Sequence, residues 1–171
     1  WAELAKAGLL GIALPETVGG AGLGLVEALL VQEEAGRRVA PVPLWPTIFL
    51  GALPIAEFGS DALQQAWLPG VVAGEVVLTG AFEEFGANDP LRPGVTAERT
   101  DGGWRLTGAK PAVPNPHVAD RILVSAVTGD GAVGVFPVDP RADGVTVVTE
   151  EATNRQIHGE LSNKKTLIIG A

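Results

Sequence analysis

Apolar positions along the chain change their period near residue 75. Before it the spacing is helical. Trp1, Leu4, Ala5 and Gly8 fall at i, i+3, i+4 and i+7, with Gly8 as the stop. Leu25, Ala28, Leu29, Ala35 and Val39 then share one face opposite Glu27, Glu34 and Arg38, which predicts a helix packed on a core. Pro41, Pro43 and Pro46 end it, because each lacks a backbone donor and restricts the residue before it. A further helix is expected over Thr47–Phe58, kinked at Pro54 and stopped by Gly59. Asp61 and Gln64 have the spacing of a capping box and open a fourth helix, ending at Pro69-Gly70. Between the first two helices, Pro15–Gly22 is a loop dense in turn residues.

After Gly74 the runs are short and β-prone: Val76–Phe82, Val95–Thr100, Trp104–Thr107, Ile122–Val127, Ala132–Val138 and Gly144–Val148. Asp101-Gly102 and Gly129-Asp130-Gly131 signal tight hairpins. Strands of this length and spacing predict a small barrel or sandwich. Two loops stand out, Glu83–Gly94 and Lys110–Asn115, and strand-anchored loops of this kind can present backbone donors to a ligand. The tail Glu150–His158 reads as polar, with a last strand over Lys165–Ile169. The fold class is therefore α+β, a helical domain over residues 1–75 followed by a small β-domain, barrel or sandwich, over 76–171.

Composition narrows the function. A net charge of −8, with no basic run longer than Arg37-Arg38 or Lys164-Lys165, argues against a surface that tracks nucleic-acid phosphates. No apolar stretch reaches the length of a membrane span. Zero cysteines excludes disulfides and thiolate metal sites and fits a cytoplasmic protein. The chain starts at Trp1 rather than Met, so it reads as a piece of something longer, with its helical domain incomplete at the start.

Leu14–Gly24, L-P-E-T-V-G-G-A-G-L-G, resembles a loop of the acyl-CoA dehydrogenase family, in which Leu-Pro-Glu and Gly-Gly-x-Gly lead into a helix. The flanking L-A-K-A-G-L-L-G-I-A and E-E-A-G-R-R-V-A-P-V-P are similar to the same family's opening helices, and Trp67–Glu75 to its entry into the β-domain. The resemblance implies an enzyme that desaturates the Cα–Cβ bond of an acyl-CoA thioester. A glutamate takes the α-proton, FAD takes the β-hydride, and an electron-transfer flavoprotein and a homologous subunit are the implied partners. The implied glutamate lies in a C-terminal helical bundle not present in this chain. No catalytic residue is nominated, and these 171 residues alone are expected to be inactive.

In the resembled family the first β-domain loop reads Thr-Glu-Pro-x-Ala-Gly-Ser-Asp and the later one Gly-x-Lys-x-Trp-Ile-Thr-Asn. Its Thr positions bond the flavin and its Trp packs near the ring. Aligned on Asp89, Gly108, Lys110 and Asn115, this chain has Phe82 at the first Thr, keeps Glu83, and has Asn88 at the Ser near the thioester. Ala112, Val113 and Pro114 replace Trp-Ile-Thr. Pro114 removes a hydroxyl and a backbone N–H, and Phe82 adds a ring where a small polar side chain sits. These five positions mark a degenerate FAD site, with Asn88 also a weak candidate donor to an acyl-CoA or simply a turn residue. Three readings follow: a poor flavin binder within a heteromer, an ordinary FAD enzyme with divergent loops, or a non-catalytic scaffold that binds CoA esters.

Other candidates are weaker. Gly19–Gly24 lacks the strand context of a dinucleotide loop and reads as a packing turn. Glu83-Glu84 reads as a solvated pair, because adjacent side chains diverge. His117 and His158 have no ligand partners in sequence, and Trp104 reads as a core or edge aromatic.

Overall fold

The computed structural model describes residues 1–86, 89, 91–151, 157–163 and 167–169. They divide into two compact units, Trp1–Leu78 and Thr79–Ala171, the first helical and the second β-rich.

In the helical unit α1 spans Ala2–Lys6, and a 3₁₀ turn covers Glu16–Val18. The next helix, α2, spans Leu25–Arg37. A π-helical turn, Pro46–Ala52, runs directly into α3, Leu53–Phe58. The kink expected at Pro54 is taken up by this change of winding, since Pro54 lies in the first turn of α3, where its missing N–H breaks no bond. The last helix, α4, spans Asp61–Ala73 and departs from expectation at both ends. Its cap is Ser60, whose hydroxyl accepts from the Leu63 N–H, while the Gln64 amide donates to the carbonyls of Ala56 and Gly59. The helix also continues past Pro69-Gly70. Leu68 and Val71 are fully buried on either side, and the true stop is Gly74 in the left-handed region, with Glu75 and Val76 returning N–H bonds to the Gly70 carbonyl.

Leu10, Leu14, Val18, Leu44, Ile48, Ala52, Ile55, Leu68 and Val71 form the buried interior of this unit. The face of α2 does not join it as its spacing predicts. Ala28 is buried, but Leu25 is 55% exposed, Leu29 50% and Val39 80%. Leu23, Val26 and Leu30 are exposed too, so the apolar stripe is uncovered among the described residues.

The β-unit contains β1 (Leu78–Ala81), β2 (Thr96–Thr100), β3 (Gly103–Thr107), β4 (Ala109–Pro114), β5 (Arg121–Thr128), β6 (Val133–Val138), β7 (Val145–Glu151), β8 (Ile157–Asn163) and β9 (Leu167–Ile169). One sheet has the order β1-β5-β2-β3-β9, with β6 also paired to β5; the other is β4-β8-β7. Both expected hairpins form, β2 with β3 and β5 with β6. In the second, Asp130 accepts from the Thr128 hydroxyl and the Ala132 N–H, bonds that hold its carboxyl below the ordinary value. The core joins Ala97, Leu106, Val113, Ile122, Val124, Ala126, Val138 and Leu161, with Trp104 packed against it 5.2 Å from the Phe136 ring.

Two strands were not foreseen. The segment expected to be the second loop is β4, which tolerates Pro111 because a bulge interrupts it. Lys110 faces Leu161 and Val113 faces Gly159, so three steps on β4 match two on β8. Of the segment expected to be a polar tail, Glu150 and Glu151 end β7 and Ile157 and His158 begin β8, while 152–156 lie outside the described residues.

Candidate functional site

All four residues of β1 are buried, and Thr79 is completely so. Its hydroxyl cannot remain unbonded there without penalty, and it donates to the Pro114 carbonyl at 2.7 Å. The contact fastens β1 to the end of β4. Replacing Thr79 with valine keeps the shape but strands that carbonyl, so a loss of about 1–3 kcal/mol is expected in urea denaturation.

The bulge in β4 sets the next features. Ala112 adopts φ 52 and Asn115 φ 48, left-handed values that asparagine accepts and alanine does not favour. Ala112 is exposed, whereas Val113 and Pro114 are buried. Phe82 follows directly on β1 and is half-buried. Asn88 lies outside the described residues.

Lys110 and Glu84 form an ion pair that sequence reasoning missed. Lys110 on β4 is fully buried, and its Nζ donates to the Glu84 carboxylate and, at 2.9 Å, to the Ser125 hydroxyl on β5. Glu84 has a side-chain exposure of 7%, so only Glu83 of the two adjacent glutamates is solvated. Alternation had already pointed their side chains apart. The overlooked signal was Lys110 itself, an ammonium inside G-A-K-P-A-V-P that must be paired if its strand is buried.

The interior of the β-unit holds a cavity of about 30 Å³ lined by Val95, Leu106, Lys110, Val124 and Leu161. It has room for about one water and none for a ligand. Phe82, Ala112, Val113 and Pro114 carry no side-chain hydrogen-bond donor, Pro114 has no N–H, and Val113 and Pro114 are buried. These side chains do not fit the donor set that grips a flavin ring.

The glycine-rich turn is closed on itself. The N–H groups of Gly19, Gly20, Ala21, Gly22 and Leu23 bond the carbonyls of Glu16, Pro15, Gly11, Leu14 and Ile12 at 2.9–3.1 Å. Gly24 N–H bonds the Glu27 carboxylate at 2.8 Å. No amide in this run is left for a phosphate. Among the described residues no three His, Cys, Asp or Glu side chains come together as a metal site would require, and no helix is long and apolar enough to cross a membrane.

Residues 1–75 match the N-terminal domain of acyl-CoA dehydrogenase. The chain is 38% identical over 161 residues to the acyl-CoA dehydrogenase FadE27 of Mycobacterium tuberculosis, covering 94% of this chain and 42% of that protein. It superposes on the solved Tcur3481–Tcur3483 steroid ACAD with TM-score 0.90 at 49% identity, over 99% of this chain and 46% of that one. This chain belongs to the acyl-CoA dehydrogenase family. It is also similar to a chain of the ChsE4–ChsE5 complex of M. tuberculosis, with TM-score 0.86 and 35% identity over 98% of this chain and 45% of that one. The chain thus spans less than half the length of these three similar proteins. Both units lie within the aligned part.

Proposed function

We propose that this chain is part of an acyl-CoA dehydrogenase subunit that holds FAD poorly through its own β-unit and works in a heteromer with a homologous subunit. The observation that carries the reading is at Pro114. Its nitrogen has no hydrogen to give and its ring carries no hydroxyl, so position 114 has no donor to replace the one that a threonine would supply. Phe82 supports it from the other side, with a ring where a small donor is required. FAD belongs to the family, and an acyl-CoA dehydrogenase of Bacillus anthracis is solved in complex with it. Two similar structures are named for pairs of proteins, which supports assembly of unlike subunits here.

The assembled enzyme would desaturate an acyl-CoA thioester, a steroid-derived one by analogy with the first of those pairs, and would pass electrons to an electron-transfer flavoprotein in the cytoplasm. The base and most of the acyl-chain pocket would be supplied by polypeptide other than these 171 residues. The exposed stripe on α2 would be covered in a protein of the relatives' length.

The test is the flavin spectrum of the full-length protein, purified alone and with its partner subunit. Flavin is expected only in the mixed assembly, and the variant carrying Phe82→Thr, Ala112→Trp and Pro114→Thr is expected to gain flavin when alone. Stoichiometric FAD on the unmodified lone protein overturns the reading and favours an ordinary flavoenzyme with divergent loops.

A further inference from the structure

We infer that Glu84 is the positioning residue of the β1–β2 connection, and that it acts by filling, with its own carboxylate, an anion seat built by Lys110 and Ser125. Three observations meet on that carboxylate. The Lys110 ammonium is fully buried and donates to Glu84 and to Ser125. It needs a counter-ion, because an unpaired buried charge is among the costliest things a core can hold. Glu84 belongs to the described stretch 82–86, which has no strand pairing and therefore depends on side chains for its placement. The far end of the same connection closes on the same group, since a Cβ on Gly94 would stand 3.2 Å from Glu84 Oε2.

One carboxylate therefore ties the start of the connection to β4 and β5 and sets how closely its end can approach. Glu83, next to it and solvated, has no such part. The inference stands on the ion pair and goes beyond the flavin reading; either outcome of the flavin spectrum leaves it intact.

The test is amide hydrogen exchange, followed by mass spectrometry, in the full-length protein. Glu84→Ala is expected to raise exchange over 82–86 and at the Gly94 end by about tenfold or more, while the β2–β3 hairpin keeps its protection. Sodium formate should restore part of the lost protection by occupying the vacated seat, and sodium chloride at equal ionic strength should not. Glu83→Ala should match the unmodified protein. Should Glu84→Ala fail to fold, Glu84→Gln is read instead; it keeps an acceptor for Nζ without the charge, and a several-fold rise confined to the connection is expected. Equal exchange in the Glu83 and Glu84 variants, or loss spread equally over the hairpin with no response to formate, overturns the inference.

Discussion

Lys110→Met is expected to destabilise the β-unit by about 3–5 kcal/mol, because it leaves the Glu84 carboxylate buried without a counter-ion. The magnitude comes from removing one partner and not from the net worth of the pair, whose mutual attraction largely offsets the desolvation of both groups. Two consequences separate these terms. The double substitution Lys110→Met, Glu84→Leu should recover most of the loss, since it removes both charges and keeps the volume filled. Glu84→Gln should cost less than Lys110→Met, because an ammonium paired with an amide oxygen still has an acceptor. Trp104 is the only tryptophan after residue 78, so its fluorescence in a variant lacking Trp1, Trp45 and Trp67 follows this unit by itself through a urea titration. A Lys110→Met midpoint equal to that of the unmodified chain would contradict the burial of the pair.

Gly20→Ala is the second large effect expected, about 3 kcal/mol of stability lost from the helical unit. A Cβ on Gly20 would stand 2.1 Å from the Leu14 carbonyl oxygen and 2.5 Å from its carbon. Both are backbone atoms that no rotamer change can move aside. The clash falls where Gly22 N–H bonds Leu14 and Ala21 N–H bonds Gly11, so relief would require parting the two runs of chain that these bonds hold together. Gly36→Ala is the control. Gly36 sits near the end of α2 with nothing within 4 Å of its Cβ, so the same substitution should stabilise by about 0.5–1 kcal/mol through helix propensity. Thermal unfolding of the two variants side by side checks both signs.

The architecture was readable because the period of apolar positions changes once, from helical to alternating, and the chain obeys it. The failures have separate physical causes. Ser60, not Asp61, caps α4, because a serine in extended conformation can reach the N–H three residues ahead. The helix outlasts Pro69 because Leu68 and Val71 bury their side chains around it, a tertiary gain invisible to local propensity. The stripe on α2 was correctly seen as apolar, but periodicity reports which residues share a face and not what covers that face. At the candidate site the altered residues could be named from the pattern, whereas their consequence could not. That the Pro114 carbonyl is engaged depends on Thr79, 35 residues away in sequence. Glu84 and Lys110 are 26 apart, and no spacing rule links a loop glutamate to a strand lysine.

The bulged β4 has one more consequence. Among the described residues it is an edge strand of its three-stranded sheet, and unprotected edges recruit other chains into intermolecular ladders. In six residues it carries two prolines that donate no hydrogen bond, an alanine turned into the left-handed region, and a register shift that twists the ribbon. These features make it a poor template for strand addition, and so guard the β-unit against aggregation through that edge.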